Sequence, residues 1–177
     1  MADFLRKNYF ELFDLPVQFE VSPKTIRACY RKLQASAHPD KHAGGGAQER
    51  RLAMQFSALI NEAYLTLKDP LKRGRYLLSL LSTTTAEHSH TVQDPELLME
   101  QMSLREEFDD IKELRPLELS RLEAFIRKLE SRQQNIMEDL SGRFKNIDAE
   151  ENAEQAWQLL DKYQFFTKLH EEVSELV

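Results

Sequence analysis

The sequence predicts an all-α protein made of two helical units, and three observations carry that prediction. Glycine and proline are scarce, five and six among 177 residues, while Leu, Glu, Lys, Arg and Gln abound; these straight-chain residues lose little rotamer freedom in a helix. Apolar residues recur with the 3.6-residue helical period along most of the chain. One polar, unpatterned stretch, residues 82–93, interrupts that period and divides the chain. The part before it reads as a helical hairpin with short flanking helices, and the part after it as a three-helix bundle. The expected limits are a first domain at 1–82, a linker at 83–93 and a second domain at 94–177.

In the first domain, Asn8 to Leu15 is a short apolar-rich segment closed by Pro16, read as a brief helix that packs Phe10 and Phe13 on later elements. Val17 to Val21 is a loop. Ser22-Pro23 is a helix start, an N-cap oxygen followed by proline at the first helical position. From there Ile26, Cys29, Tyr30, Leu33 and Ala37 fall within about 60° of one direction on a helical wheel and predict the core face. Lys24, Arg27 and Arg31 point roughly 100–160° away, which is either a solvated face or a basic docking face. Leu52, Phe56, Leu59, Ile60, Ala63 and Leu67 form a second stripe that ends before Asp69-Pro70. Two facing stripes with a short connection make an antiparallel pair. Arg73 to Leu81 is a last short helix whose apolar surplus predicts contact with the second domain as well.

In the second domain, Asp94-Pro95-Glu96 supplies a cap, a proline and an early carboxylate at a helix start. Leu97, Leu104, Phe108 and Ile111 form its core stripe, and Arg115-Pro116 stops it. The next helix, within 117–144, carries Leu119, Leu122, Ile126, Leu129, Ile136, Met137 and Leu140. The last, within 150–176, carries Leu159, Tyr163, Phe166 and Val173. Some apolar residues do not fit these stripes. Leu98, Met99 and Met102 lie about 100–200° from the core face of their helix, together with Arg105, Glu106 and Asp109. Phe165 lies about 110° off the last stripe, and Trp157 further still. Three apolar residues on one outer face, two of them adaptable methionines, read as a docking patch or as a surface that the first domain covers.

Composition excludes several functions. The net charge of −6 argues against nucleic acid as the main ligand, because phosphate binding needs a basic footprint. That charge is unevenly spread: residues 1–81 hold 13 Lys and Arg against 8 Asp and Glu, whereas residues 82–177 hold 11 against 22. Such asymmetry predicts two surfaces for two partners. The single cysteine, Cys29, forbids an intrachain disulfide and a multi-thiolate metal site. No apolar run is long enough for a membrane span, and the N-terminus lacks the apolar core of a secretory signal. A soluble protein of a reducing compartment is expected, with no membrane and no nucleic acid among its partners. Gly44-Gly45-Gly46 is a loop without the Gly-Lys-Ser/Thr of a phosphate cradle. His38, His42, His88 and His90 lack a fixed third ligand, so neither a metal nor a cofactor is expected.

His38-Pro39-Asp40-Lys41 stands between the two hairpin helices. Pro39 donates no backbone hydrogen bond and biases His38 away from helical dihedrals, so the helix should end at about His38, leaving polar side chains at the hairpin tip. The bland reading is an ordinary turn. A hydrolase using His38 and Asp40 as an acid–base pair would also need a nucleophile and an oxyanion site, and neither is apparent.

These residues together resemble a known family. Tyr9-Phe10-Glu11-Leu12-Phe13, the basic second helix, His38-Pro39-Asp40-Lys41, Asn61-Glu62-Ala63-Tyr64 and Leu67-Lys68-Asp69-Pro70 resemble a J domain. The segment His90 to Glu107 and the run Arg75-Tyr76-Leu77-Leu78 are similar to the HscB family, J-domain co-chaperones of iron–sulfur cluster assembly, and the likeness covers nearly the whole chain. It implies no enzymatic activity of the chain's own. Instead, a J domain would dock on the DnaK-type chaperone HscA and stimulate its ATPase, using His38, Pro39, Asp40, Lys41, Lys24, Arg27 and Arg31. The C-terminal domain would hold the scaffold protein IscU through Leu98, Met99, Met102, Arg105, Glu106 and Phe165. Ser103 departs from the acidic residue expected of a relative at that place. Because some eukaryotic members carry a cysteine-rich zinc extension absent from this sequence, the resemblance implies a bacterial, cytoplasmic form. A J-domain protein with another client, or a purely structural helical adaptor, would share parts of the pattern.

Overall fold

The computed structural model describes residues 4, 6–37, 46–81, 95–114, 118–147 and 150–176. Among them the regular structure is helical, with no strand: α1 (Tyr9–Leu12), α2 (Pro23–Ala37), α3 (Ala47–Lys68), α4 (Pro70–Leu81), α5 (Pro95–Glu113), α6 (Leu119–Lys145) and α7 (Glu150–Ser174). The chain divides into two compact units, Met1–Thr83 and Thr84–Val177. The all-α expectation holds. Residues 38–45, with the turn tetrapeptide and two of the three glycines, and the stretch 82–94 lie outside the described residues.

The first unit begins with a four-residue helix that is capped at both ends. The Asn8 side chain accepts from the Glu11 amide and the Glu11 carboxylate from the Asn8 amide, each at 2.9 Å, a reciprocal capping box. At the other end Leu15 N–H donates to the Phe10 carbonyl and Asp14 N–H to that of Glu11, the two bonds of a Schellman motif. The motif needs a left-handed residue, and Asp14 supplies it at φ 55°. Phe10 and Phe13 are fully buried, as the sequence predicts.

α2 and α3 run antiparallel, as the rungs between them show. Tyr30 stacks on Tyr64 with ring centroids 4.1 Å apart. The Tyr30 hydroxyl donates to Asn61 Oδ1 at 2.9 Å, and Gln34 Nε2 to the same oxygen at 2.6 Å. Ile26, Ala37, Ile60, Ala63 and Leu67 are buried between the elements, while Cys29, Tyr30, Leu33, Leu52, Phe56 and Leu59 are half-buried on the flanks of the stripes.

α3 stops and α4 starts at one residue. Asp69 adopts an extended backbone, and its Oδ1 accepts from the amides of Leu71 and Lys72 at 2.9 and 3.2 Å. Pro70 then occupies the first helical position, where a missing N–H costs nothing. One turn on, Arg73 is buried: Nε donates to the Phe19 carbonyl at 2.7 Å and Nη1 to that of Leu67 at 2.6 Å, with the guanidinium 5.2 Å from the Phe19 ring centre. This arginine ties the loop before α2 to the end of α3. Tyr76 reaches back to α1, its hydroxyl accepting from the Tyr9 amide at 2.9 Å and its ring stacking on Tyr9 at 4.4 Å. Burial, then the hydrogen bond and charge of Glu62, push the Tyr9 hydroxyl up to about 12.

In the second unit α6 and α7 make the long pair and α5 lies against both. Phe108 of α5 and Phe125 of α6 stack in parallel at 6.0 Å. Leu104, Ile111, Leu122, Leu129, Leu140, Leu160, Phe166 and Leu169 fill the rest of the core. Two expected stripes are corrected. Leu119 is 57% exposed, because a wheel gives the face but burial also needs a neighbour at that height, and the first residue of α6 has little above it. On α7 the buried residues include Ala156, Leu160 and Leu169 while Leu159 and Tyr163 are only half-covered; α7 packs on two helices, so its buried arc is wider than one stripe.

Arg73→Met should lower the stability of the first unit by roughly 3 kcal/mol, because two carbonyls lose a charged donor at buried positions. Asp14→Gly should raise it by about 0.5–1 kcal/mol by relieving the left-handed backbone. Urea unfolding followed by circular dichroism checks both.

Candidate functional site

Two groups of residues are candidates, one on each unit. On the first, Lys24, Arg27 and Arg31 are all exposed along one side of α2, and Ile26 and Ala37 are buried on the other. The helix thus presents three cations spaced by three and four residues as a single stripe. His38, Pro39, Asp40 and Lys41 follow its last described residue, Ala37, and lie outside the described residues.

On the second unit, α5 exposes Leu98, Met99 and Met102 at 56, 63 and 57%. Its core residues Leu97, Leu104, Phe108 and Ile111 are buried, so the helix carries apolar side chains on two faces. Between α5 and α7 the surface dips into a groove of 390 Å³ lined by Leu98, Gln101, Met102, Arg105, Glu106 and Phe165. Met99 and Ser103 stand exposed beside it on the same helix. Phe165 is anchored edge-on to the buried Phe166, ring centroids 5.4 Å apart, which fixes the groove wall to the core. The Arg105 guanidinium lies 5.9 Å from the Phe165 ring centre and grips Glu172 of α7 with both nitrogens: Nη2 donates to Oε1 at 3.1 Å and Nη1 donates to Oε2. The groove therefore assembles five of the six residues expected to form the second surface, Leu98, Met102, Arg105, Glu106 and Phe165, and Met99 flanks it. Gln101 and Glu172 escaped the sequence reading: Gln101 shares no distinctive chemistry, and the pairing of Glu172 with a residue 67 positions away has no local signal.

Further ion pairs set the rotation of α5. Glu100 meets Arg132 of α6 at 2.8 Å and Lys162 of α7 at 3.4 Å, and Glu107 meets Lys128 of α6 at 2.6 Å. Three acid–base contacts to two helices hold α5 with one apolar face in and the other out. Among the described residues no cluster of three or more His, Cys, Asp or Glu side chains assembles to hold a metal, and no helix is long and apolar enough to cross a membrane.

Comparison with known proteins agrees with this division. The family model described as DnaJ domain matches residues 8–76, and the one described as HSCB C-terminal oligomerisation domain matches residues 93–174. The two together define a J-domain protein of the co-chaperone class. A Co-chaperone protein HscB homolog of Vibrio cholerae serotype O1 (strain M66-2) is 39% identical over 169 residues, spanning 96% of each chain. One of Cupriavidus taiwanensis is 37% identical over 177 residues, spanning 100% of this chain and 97% of the relative. Among solved structures, chaperone HscB from Vibrio cholerae is 38% identical with a TM-score of 0.83, covering 96% of this chain and 97% of that one. Human co-chaperone protein HscB is 27% identical with a TM-score of 0.82, covering 95 and 81%. The chain belongs to the HscB co-chaperone family.

The Arg105–Glu172 contact gives the second unit a pH signature. Hydrogen bonding to Arg105 holds the Glu172 carboxyl below its ordinary value. A depressed folded-state pKa contributes stability that is present above the unfolded value, about 4.3, and is lost as pH falls through the folded one. Both side chains are well over a third exposed, so the contribution is small, on the order of a few tenths of a kcal/mol. Thermal unfolding of the unaltered chain and Glu172→Gln should differ slightly at pH 7, and the difference should close below about pH 4.

Proposed function

We propose that the chain is a bridge between a DnaK-type chaperone, HscA, and the iron–sulfur scaffold protein IscU, that it stimulates the ATPase of the former and acts in the cytoplasm without catalysis of its own. The observation that carries this reading is the coexistence of a basic helical stripe on one compact unit and an apolar, partly exposed groove on the other. Lys24, Arg27, Arg31 and Lys41 steer and orient an acidic surface of the ATPase partner. Asp40, acceptor-only when ionised, takes a charge-assisted bond from a partner cation, and His38 and Pro39 fix the turn that presents it. Hydrolysis stays in the partner, so His38 transfers no proton. Docking stimulates because it favours the hydrolysis-competent state over the other; equal affinity for both would change nothing.

Leu98, Met99, Met102, Arg105, Glu106 and Phe165 hold the scaffold. Exposed methionines adapt to an apolar segment, and Phe165 gives a rigid anchor among them. With client and chaperone bound on separate units of one chain, the client meets the chaperone at an effective concentration above its bulk value.

Steady-state ATP hydrolysis by HscA, with and without IscU, tests the bridge. Stimulation should rise synergistically with IscU and vanish in His38→Gln and Asp40→Asn. Met99→Ala should weaken IscU binding by about tenfold, consistent with the roughly 1.5–3 kcal/mol from burying such a side chain, while leaving stimulation by the chain alone intact. Stimulation indifferent to IscU would mean another client, and none at all would remove the chaperone-docking role.

A further inference from the structure

The Arg105–Glu172 pair has a use that the apolar groove does not explain. Arg105 follows Leu98 and Met102 by seven and three residues, so it sits on the same stripe of α5, and it lines the same groove as both. A cation in the middle of an apolar docking surface is a liability. While the groove is open, water solvates the guanidinium, and the pair with Glu172 adds little. Once an apolar segment covers the groove, that water leaves. An arginine without its bidentate counter-charge would then be buried with only the weaker influence of Asp109 one turn away, which is costly.

Glu172 lowers that cost before docking. It comes from α7, grips both terminal nitrogens of Arg105, and leaves the guanidinium close to the Phe165 ring. The grip also limits the rotamers of Arg105, so less freedom is lost when the groove is covered. We infer that Glu172 is a positioning residue for the groove: by neutralising and fixing Arg105 it lets the groove accept an apolar protein segment. The inference rests on the proposed scaffold-binding role and adds a residue that makes no contact with the scaffold itself.

The logic of the test is that Glu172 is needed only while Arg105 carries a charge. Binding of IscU to the full chain is measured by isothermal titration calorimetry for the unaltered chain, Glu172→Gln, Arg105→Met and the double variant. Glu172→Gln should weaken binding about tenfold. Arg105→Met, which removes the charge and keeps an apolar stem over Phe165 but loses the arginine's own contact with the scaffold, should weaken binding by only about threefold. The double variant should match Arg105→Met. A role confined to stability would predict a different pattern, because Glu172→Gln, Arg105→Met and the double variant all lack the link between α5 and α7 and would weaken alike. The inference is overturned if Glu172→Gln binds like the unaltered chain, if its loss persists in the Arg105→Met background, or if Arg105→Met alone costs as much. If the unaltered chain does not bind IscU, the scaffold-binding role fails and this inference with it, an outcome distinct from binding that ignores Glu172.

Discussion

A helix with apolar side chains on opposite faces is less firmly oriented by the hydrophobic effect than a one-faced helix, and α5 is such a helix. Turning it over would bury Leu98, Met99 and Met102 and expose Leu97, Leu104, Phe108 and Ile111, so burial favours the observed face only by the difference between the two sets. The shape of the core and the charge pattern along the flanks add to that preference. Phe108 fits against Phe125, and Glu100, Arg105 and Glu107 each find an opposite charge on α6 or α7. These ion pairs are individually weak because they are partly exposed. Together they reinforce the orientation that the buried face, Leu97, Leu104, Phe108 and Ile111, already favours.

The first unit is held in another way. Its α1 has only four residues, and a helix of that length does not persist unaided. Paired caps at each end of α1, the Tyr9–Tyr76 stack and the Arg73 bonds to two separate carbonyls turn the small elements into a frame. The frame braces the α2–α3 pair, whose outer side carries the basic stripe. Placing the buried Arg73 near a chain reversal gives that reversal fixed geometry beside the apolar core.

Much of this was legible in the sequence, for physical reasons. Ser22-Pro23 marks a helix start because the chemistry of the cap is local, and α2 begins at that proline; Asp69-Pro70 reads only as a helix end, whereas α4 begins at Pro70 and not at the expected Arg73. The outward set Leu98, Met99 and Met102 was visible because a single helix converts spacing into direction. What stayed hidden depends on contacts between distant parts. Nothing local marks Arg73 as buried, since one of the two carbonyls that meet it, that of Phe19, lies 54 positions away. Phe125 lies just outside the stripe drawn through Leu122 and Leu129, and only the ring of Phe108 explains why it is buried. Leu119 failed in the opposite sense, with the right phase and no cover. Glu172 had no sequence signal, since its partner is on another helix.

Holding α5 by flank charges has an experimental corollary. Salt screens partly exposed pairs far more than it weakens apolar packing, and the Debye length falls to about 3 Å at molar ionic strength. The edge contacts of α5 are therefore more salt-sensitive than the apolar core that they flank. Ionic-strength dependence of any association at the groove would report in part on how firmly the receiving helix is aimed, and a steep dependence need not mean that the visitor is charged.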